Sequence, residues 1–598
     1  MSVVSQIKAL TASSIGDLYN YSIAPESILV NSTKPEFEGD YTVVLFAFIK
    51  ELKKAPDQLG EELGKYMVQH SPTLFTGFNV VKGFLNLIIN DQYWTGFIST
   101  HYANQDYGTL ALTGNKVMVE YSSPNTNKPL HLGHLRNNFL GRSIAEILKV
   151  TGNEVAKTCI VNDRGIHICK SMIAWQLFAN GATPASTHTK GDHFVGDYYV
   201  KFNDAYKAEV AALKASGMLE EEAEKSAPIM KAAQQMLFDW EEGKAEVIEL
   251  WKRMNTWVYA GFDETYHKIG TDFDKIYYES NTYLLGKDLV EKGLTNKVFY
   301  QKEDGSVWID LTSDGLDEKL VRRKDGTSVY ITQDIGLAEQ KQKEFNANQS
   351  IYVVGDEQNY HFKVLKLICQ KLGLPSADGI YHLSYGMVEL PTGKMKSREG
   401  TVVDADDLVK EMIAIAKQKT EELGKVNDFT ESERAALFET LGLGALKFFL
   451  LRVDPKKKMV FNPEESIDFH GFTGPFIQYT YARIKSILRK MNITNEPVFN
   501  TGIITANTSL LPLEKELILQ LEQFPTILKD AGIDHDPSKV AIFIYNLAKV
   551  FSSFYNEHSI ANAETEEKKT IRLMLAFLTA SVIKKGMNVL GINVPERM

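Results

Sequence analysis

The stretch VMVEYSSPNTNKPLHLGHLR, residues 117–136, holds the side chains best suited to chemistry. It ends in the pattern HxGH, formed by His131 and His134, with Lys128 just upstream. Two residues three apart on a helix face the same way, and the first helical turn offers unpaired backbone N–H groups and the positive end of the dipole. Because such a helix start attracts anions, the stretch predicts a polyphosphate site. A four-residue pattern has a simpler alternative, in which the two histidines only form hydrogen bonds at the start of a helix.

These residues require a strand, a long turn and a helix to position them. The apolar run at 117–119 predicts the end of a buried strand, and Pro124 breaks any helix through the turn. From His131 onward a helix is predicted by apolar residues at a spacing of four: Leu140, Ile144 and Leu148. The segment contains neither GxxxxGK[ST] nor GxGxxG, so it is not one of those phosphate-binding motifs.

Composition sets the broad class of the protein. The chain has 598 residues, of which 44% are hydrophobic and 24% charged, which is ordinary for a globular protein of roughly three or four domains. Its three cysteines form no CxxC pair and no metal-ligand cluster, and it has no apolar run of signal or membrane-spanning length, so we expect a cytoplasmic protein without a metal site or a membrane partner. The net charge of -10 argues against a general polyanion binder.

The pattern along the chain predicts a multidomain α/β protein in three parts. Residues 1–110 form an α+β unit with a strand pair near 76–90, and residues 441–598 form an all-helical domain. Between them, residues 111–440 predict a Rossmann-type parallel sheet interrupted by a helical insertion at about 191–290. Its strands are expected in five segments, namely 116–120, 155–161, SVYITQD (328–334), 351–354 and 379–383.

Polar side chains follow the second of these strands: Asn162, Asp163 and Arg164. The carboxyl ends of parallel strands are where an open sheet binds its ligand, but such residues also cap the following helix. Both interpretations stay open.

A second candidate for phosphate chemistry is the segment GKMKSREGTVV, residues 393–403. Its charged and hydroxyl side chains are Lys394, Lys396, Ser397 and Arg398. Bracketed by glycines, they form either an exposed turn or a mobile cationic loop that closes over a triphosphate. Together with an upstream HxGH, the segment resembles the KMSKS loop of class I aminoacyl-tRNA synthetases.

The helical domain begins with a basic stretch. Residues 447–490 carry nine basic side chains against four acidic ones, interleaved with Phe472, Phe476, Tyr479 and Tyr481. Flat rings beside positive charge can stack unpaired RNA bases, whereas the alternative is a hydrophobic core with a basic rim.

Seven segments in order resemble arginyl-tRNA synthetase, over about residue 75 to the carboxyl terminus: EYSSPNTNKPLHLGHLRN, VNDRG, SVYITQDIGLA, YVVGDEQNYHF, GKMKSREGT, GPFIQYTYARIKSIL and LGINVPERM. The resemblance implies a class I Rossmann domain, a preceding domain that touches the tRNA corner, and a helical anticodon-binding domain. The implied reaction joins L-arginine, with ATP and Mg²⁺, to its tRNA through an arginyl adenylate, after tRNA has bound. We expect a monomer.

The resemblance also implies roles for single residues. Tyr330 and Asp334, four apart at a helix start, hold the guanidinium, which agrees with its need for carboxylate acceptors. An N-cap role for Asp334 is the alternative. The other implied arginine contacts are Glu120, Ser123, Asn125, His134 and Gln358, and ATP lies on His131, Gly133 and His134. The implied tRNA contacts are Phe84, Asn86, Gln478, Tyr479 and Arg483.

One departure from the family pattern bears on mechanism. Ser397 occupies the place of the second lysine in KMSKS. The resemblance implies that Lys128 supplies the missing charge, with Lys396 assisting, and the division of labour among Lys128, Lys394 and Lys396 stays open. Two rivals are a tRNA-binding relative without catalysis, against which the intact motifs argue, and a cysteinyl-type ligase, for which no Cys/His metal cluster is found.

Overall fold

The computed structural model describes residues 2–34, 36–389, 391, 403–424, 426–493, 497–505 and 507–598. No helix among these residues has both the length and the apolar character needed to cross a bilayer.

The amino-terminal unit is a four-stranded antiparallel sheet with helices packed against it. Its elements are α1 (Val3–Tyr19), β1 (Val30–Ser32), β2 (Tyr41–Val44), α2 (Ile49–Leu52), α3 (Pro56–His70), β3 (Phe75–Val81), β4 (Phe84–Ile89) and α4 (Asp91–His101). The strand order is β1-β2-β4-β3, so the predicted strand pair near 76–90 is confirmed as β3 and β4. Alternate residues of β4, Leu85, Leu87 and Ile89, are buried, as expected of a sheet with one covered face.

The first half of the central domain contains two strands, then a long helical run, and then a third strand. Its elements are β5 (Lys116–Glu120), α5 (Leu132–Val150), β6 (Glu154–Val161), α6 (Ile166–Phe178), α7 (Pro184–Thr187), α8 (Gly191–Ala215), α9 (Glu220–Ser226), α10 (Pro228–Glu241), α11 (Ala245–Ile269) and β7 (Lys275–Tyr278). The helices of the predicted insertion end at Ile269, and β7 joins the sheet beside β6.

The second half completes the sheet and adds a small antiparallel one. Its elements are α12 (Glu279–Thr282), α13 (Lys287–Thr295), β8 (Tyr300–Gln301), β9 (Val307–Ile309), β10 (Lys319–Arg322), α14 (Tyr330–Phe345), β11 (Gln349–Gly355), α15 (Asn359–Lys371), β12 (Ile380–Tyr385) and β13 (Val388–Glu389). The central sheet is parallel, in the order β12-β11-β5-β6-β7, which confirms the Rossmann-type fold class. The predicted strand SVYITQD is wrong, because its last five residues begin α14. Its β-branched residues favour a strand, but Ile331 and Ile335 are buried at helical spacing.

The carboxyl-terminal part is helical apart from one two-residue strand. Its elements are α16 (Ala405–Glu422), α17 (Glu431–Leu451), β14 (Met459–Val460), α18 (Pro463–Ser466), α19 (Gly474–Lys490), α20 (Pro512–Asp534), α21 (Ser538–Glu557) and α22 (Glu566–Val589).

Helix α5 lies where these parts meet. It packs on the central sheet and also against α16, α17, α20 and α22. Its fully buried Arg136 donates hydrogen bonds to the carbonyl oxygens of Gly386 (2.7 Å), Lys457 (2.9 Å) and Pro455 (3.2 Å). This guanidinium therefore joins the HxGH helix to the chain before β13 and before β14.

Candidate active site

The turn between β5 and α5 is held in an unusual conformation. Ser122 and Ser123 both have positive φ angles, 76° and 47°, which side-chain-bearing residues rarely adopt. The surroundings compensate, because Asn137 Oδ1 accepts from the Ser122 N–H at 2.5 Å and the Ser122 hydroxyl lies 2.7 Å from that of Tyr266. Backbone strain fixed in this way is typical of functional turns.

The two histidines occupy the start of α5 as their spacing predicts. His131 is the N-cap, and its Nδ1 accepts from the Gly133 N–H at 3.1 Å. His134 Nδ1 accepts from the His131 N–H at 3.1 Å, and the rings lie 3.9 Å apart. Because Nδ1 is an acceptor in each neutral ring, the proton sits on Nε2. Each histidine thus presents one Nε2–H donor to a ligand.

Both rings are neutral at physiological pH. Burial and the nearby Lys128 charge lower the pKa of His131 to about 4. Burial, His131 and Lys128 hold the pKa of His134 well below its usual value. The histidines therefore act as hydrogen-bond donors rather than as cations.

Lys128, three residues before His131, brings a positive charge to this site. Burial lowers its pKa, and within the described part of the chain its ammonium has no carboxylate partner. An unpaired, partly buried cation is stabilised by an incoming anion. Lys128 lies close enough to both histidines for its charge to lower the pKa of each.

The backbone donors at this helix start are not available as predicted. The Leu132 N–H donates to the Val403 carbonyl at 3.1 Å, and the Gly133 N–H is bound by His131. A Cβ on Gly133 would approach the His131 ring to 2.9 Å, so this glycine makes room for that ring. An anion would therefore be held mainly by side chains. The charged and hydroxyl residues of the second phosphate segment, Lys394, Lys396, Ser397 and Arg398, lie outside the described residues.

The predicted guanidinium site lies at the start of α14. Tyr330 and Asp334 are in its first two turns, and Tyr330 is 75% exposed. The Asp334 carboxylate lies 2.7 Å from His361 Nε2 on α15. Gln358, in the short helix before α15, is exposed. A carboxylate and a tyrosine thus face solvent near the carboxyl edge of the sheet.

The remaining predicted arginine contacts differ in availability. Glu120 is buried and ion-paired with Lys341, while Thr158 donates to it at 3.4 Å, so its charge is already compensated. Asn125 is exposed and forms a bridge with Asn162, which extends the β5–β6 pairing into the turn.

The polar residues after β6 have structural partners. Asp163 is buried and accepts from the Tyr259 hydroxyl at 2.8 Å and from the Ser280 hydroxyl at 2.7 Å. Arg164 lies over the Tyr283 ring at 3.9 Å and pairs with Glu241 at 2.7 Å. These residues fix the insertion helices to the sheet.

A second carboxylate near Asp334 has no counterpart in the sequence predictions. Glu279 follows β7 directly, at the carboxyl edge of the sheet, and makes no side-chain hydrogen bond within the described residues. Burial, Asp163 and Asp334 raise its pKa to about 7, while Arg164 opposes this. Two carboxylates that repel each other provide a site for a guanidinium. Only recognition of the four-residue strand β7 would have signalled it.

The helical domain contains a pocket of about 480 Å³. Its lining includes Tyr479, Arg483, Tyr555 and Met598, and the Arg483 guanidinium lies 4.7 Å from the Tyr479 ring centre. By contrast, Gln478 is 0% exposed and donates to the carbonyls of Thr440 and Asn593. A direct tRNA contact by Gln478 is therefore not available in this conformation.

Part of the basic stretch at 447–490 lies in the hydrophobic core of the helical domain. Lys447 is buried, burial lowers its pKa to about 7, and it donates to the Gly591 carbonyl at 2.7 Å. Tyr481 is also buried and donates to Glu596 at 2.7 Å. In the amino-terminal unit Phe84 is partly exposed against Phe46, whereas Asn86 is 1% exposed and bound by Thr42 and Asn79.

Three family models match successive parts of the chain. They are "tRNA synthetases class I (R), catalytic domain" over residues 99–462, "DALR anticodon binding domain" over 477–598, and "Arginyl tRNA synthetase N terminal domain" over 5–89.

Full-length relatives carry consistent names. The arginine-tRNA ligase of Flavobacterium psychrophilum is 52% identical, with 100% of both chains covered. That of Bacteroides fragilis is 51% identical, covering 100% of this chain and 98% of the relative. In fold, the chain is similar to the arginyl-tRNA synthetase of Thermus thermophilus, with a TM-score of 0.80, 24% identity and 100% coverage of both chains.

Proposed function

The chain belongs to the arginyl-tRNA synthetase family, and on this premise we propose that the residues around the start of α5 and the edge of β7 carry out its reaction. The chain aminoacylates tRNA with arginine and uses ATP as a substrate. The roles of individual residues, the metal and the order of steps belong to the proposal.

The observation that carries the proposal is the cation at the phosphate site. Lys128 is partly buried without a carboxylate partner in the described part of the chain, and it lies beside two neutral histidines that each present an Nε2–H. The arrangement suits the polyphosphate of ATP. Mg²⁺ arrives with that polyphosphate, as part of the substrate.

The first step joins arginine to the α-phosphorus of ATP. A carboxylate oxygen of arginine attacks in line, the bond to pyrophosphate breaks, and arginyl adenylate forms. Lys128 and the histidines stabilise charge on the departing phosphates, and no side chain becomes covalent. Lys394, Lys396, Ser397 and Arg398 would add further donors.

In the second step a ribose hydroxyl of the terminal adenosine of tRNA attacks the arginyl carbonyl, and AMP leaves. Family membership implies the 2'-hydroxyl. It also implies that adenylate formation waits for tRNA. The test is arginine-dependent ATP–pyrophosphate exchange, which we expect with tRNA present and not without it. Equal exchange in both conditions would reject this order of steps.

Arginine selection is proposed to rest on Asp334 and Glu279 together, with Tyr330 beside them. Ser123, Asn125 and Gln358 would hold the amino and carboxyl groups, and Glu120 would shape the pocket through its pair with Lys341. A guanidinium between two carboxylates satisfies both of them. An amino acid without a guanidinium would leave these acceptors unpaired and would be rejected, so an editing site is not needed.

Glu279 makes arginine binding depend on pH. Its raised pKa of about 7 means that it is mostly protonated at pH 6 and ionised at pH 8, and the guanidinium binds the ionised form. The KM for arginine should therefore fall about tenfold from pH 6 to pH 8, since one carboxylate titrates near 7. Steady-state charging across this range measures it.

Glu279→Gln is the matched control for this dependence. The amide keeps the shape and cannot ionise, so KM should be raised and should lose the tenfold change between pH 6 and 8. A variant that keeps the wild-type pH profile would remove Glu279 from the pocket.

The pocket lined by Tyr479 and Arg483 is proposed to take an unpaired tRNA base. If the base stacks on the Tyr479 ring, Tyr479→Ala should weaken tRNA binding by about 1 to 3 kcal/mol. Filter binding or anisotropy with the cognate tRNA measures this. Tyr479→Phe keeps the ring and should bind nearly as the wild type does. Equal binding by the alanine variant would make Tyr479 a packing residue.

For the other tRNA contacts, Phe84 is proposed as a surface on which a base stacks. Asn86 and Gln478 are buried, and they are proposed to affect tRNA binding indirectly, by positioning the residues to which they are hydrogen-bonded. A cytoplasmic, monomeric enzyme is also proposed, and the three free, buried cysteines are consistent with a reducing compartment.

A further inference from the structure

A cluster of charged side chains lies where α8, α11 and α16 meet beside the HxGH turn. Its members are Lys190, Asp192 and His193 at the start of α8, Thr265 on α11, and Asp404 and Asp406 at the start of α16. The Lys190 ammonium lies 2.7 Å from Asp406, 3.1 Å from Asp192 and 2.6 Å from the Thr265 hydroxyl.

The histidine of this cluster bridges two carboxylates. His193 Nε2 lies 3.2 Å from an oxygen of Asp404 and 3.2 Å from one of Asp406. Thr265 donates to the other oxygen of Asp406 at 3.0 Å. Ligand atoms of Asp192, His193 and Asp406 all lie within 4.8 Å of one another, as a metal site would require. The ammonium of Lys190 already bridges the carboxylates of Asp192 and Asp406. The cluster is therefore an ion network formed by the protein's own side chains.

The network reaches His131 through the backbone. On either side of Asp404, the Val403 carbonyl accepts from the Leu132 N–H at 3.1 Å, and the Ala405 N–H donates to the Leu130 carbonyl at 3.0 Å. His131 and Asp404 are therefore paired as in an antiparallel bridge. The segment 403–405 is the support on which the first histidine of HxGH rests.

The insertion helices hold this network rigidly. A Cβ on Gly191 would lie 1.9 Å from the Trp257 carbonyl oxygen, and one on Gly261 would lie 2.3 Å from an Asp192 oxygen. Helix α8 also contacts the Lys128 turn, because a Cβ on Gly196 would lie 2.8 Å from Pro129. One helix thus contacts both the backbone of the Lys128 turn and, through Lys190 and His193, the start of α16 that supports the histidine.

We propose that Lys190, His193 and Asp406 are positioning residues for His131, which fix the phosphate-binding histidine through the backbone of residues 403–405. This inference rests on the proposed function of His131. It gives the insertion helices a part in the chemistry, since a displacement of about 1 Å in a reacting group lowers a rate up to 10²-fold.

The network also makes this support sensitive to pH. His193 faces Asp192 and Asp197 on its own helix, Lys190 before it, and Asp404 and Asp406 on α16. The Asp406 carboxylate, 3.2 Å from Nε2, and the other nearby carboxylates raise the pKa of His193, whereas burial and Lys190 lower it. Protonated His193 neutralises the carboxylates. As pH rises through the raised pKa, Lys190 alone remains to balance them.

The first test uses Asp406→Asn, with Asp407→Asn as the matched control. Asp407 is the next residue, its side chain is 70% exposed, and among the described residues it forms an ion pair only with Lys410. Single-turnover formation of arginyl-tRNA at saturating ATP should fall about tenfold for Asp406→Asn and less than about twofold for Asp407→Asn. Circular dichroism and thermal melting establish that each variant is folded.

A double-mutant cycle with His131→Asn separates positioning from general destabilisation. If the cluster acts through His131, Asp406→Asn should lower the rate of the His131→Asn enzyme by less than about twofold further. A full tenfold loss in that background would overturn the inference. So would an Asp406→Asn enzyme as fast as the Asp407→Asn control.

A pH series with His193→Gln gives an independent readout. The ratio of wild-type to His193→Gln rates should be largest near pH 6 and should fall as pH rises past the His193 pKa. A constant ratio would contradict the role of His193. If Asp406→Asn fails to fold, Thr265→Val replaces it as the test. This variant removes a single hydroxyl and should lower the rate in the same direction by a smaller factor. Wild-type enzyme that does not charge arginine would instead reject the proposed function itself.

Discussion

Lys128→Ala is expected to lower the rate of arginyl-tRNA formation at saturating ATP by roughly 10²- to 10³-fold. In the proposed mechanism the ammonium meets the phosphates where negative charge builds as pyrophosphate leaves, so it contributes more in the transition state than in ground-state binding. The KM for ATP should therefore move far less than the rate. The substitution should not harm folding, because burial of this unpaired cation is unfavourable and lowers its pKa. Single-turnover charging measures the effect.

Two further variants sharpen this experiment. Lys149→Ala, on the far end of the same helix and paired with Glu146, is the control and should keep the wild-type rate. Ser397→Lys in the Lys128→Ala background restores a lysine at the place where the KMSKS pattern has one, and should return part of the lost rate. A Lys128→Ala enzyme with the wild-type rate would reassign the role to Lys394 or Lys396.

Asp334→Asn is expected to lower kcat/KM for arginine by roughly 30-fold or more. The substitution keeps the shape and removes the charge that is proposed to face the guanidinium. Loss of one partner of such a desolvated pair costs about 2 to 5 kcal/mol. His361, 2.7 Å away, holds the carboxylate in place without substrate, and Glu279 remains to bind the guanidinium weakly. Steady-state charging at varied arginine concentration measures it.

The control for this prediction is an aspartate of similar exposure outside the pocket. Asp314 pairs with Lys371 at 2.9 Å, and Asp314→Asn should leave kcat/KM for arginine unchanged. If Asp334→Asn has the same arginine kinetics as this control, the guanidinium binds elsewhere.

The start of α5 could be predicted because its signals are local. The HxGH spacing and the turn prolines predict a helix from His131 onward, and in the structure the helix begins one residue later, at Leu132, with His131 as its N-cap. The same local reasoning assumed free backbone donors. It missed Val403, which returns from about 270 positions away to accept from Leu132, because such pairing leaves no mark in the adjacent sequence.

Residues that depend on distant packing were harder to interpret. Glu279 follows a four-residue strand after a long helical run, so no periodicity announces it. The partner of Glu120, Lys341, is 221 positions away. In each case the chemistry depends on which side chains the sheet brings together, and the local sequence pattern does not determine the order of the strands.

Motif positions and exposure are also separate properties. Gln478 and Tyr479 are neighbours in one predicted contact motif, yet α19 buries the first and turns the second towards a pocket. A helix turns by about 100° per residue, so adjacent residues cannot both face a ligand. Asn86 lies on the same face of β4 as the exposed Phe84, and it is buried because Thr42 and Asn79 on the neighbouring strands bind its side chain.

The most direct test of this account is the charging of total tRNA with each amino acid in turn by the purified wild-type enzyme with ATP and Mg²⁺. Arginine alone should become attached to tRNA, because a guanidinium is the group that the two carboxylates Asp334 and Glu279 are proposed to bind. Attachment of another amino acid, or none with arginine while the enzyme is folded and binds tRNA, would contradict it.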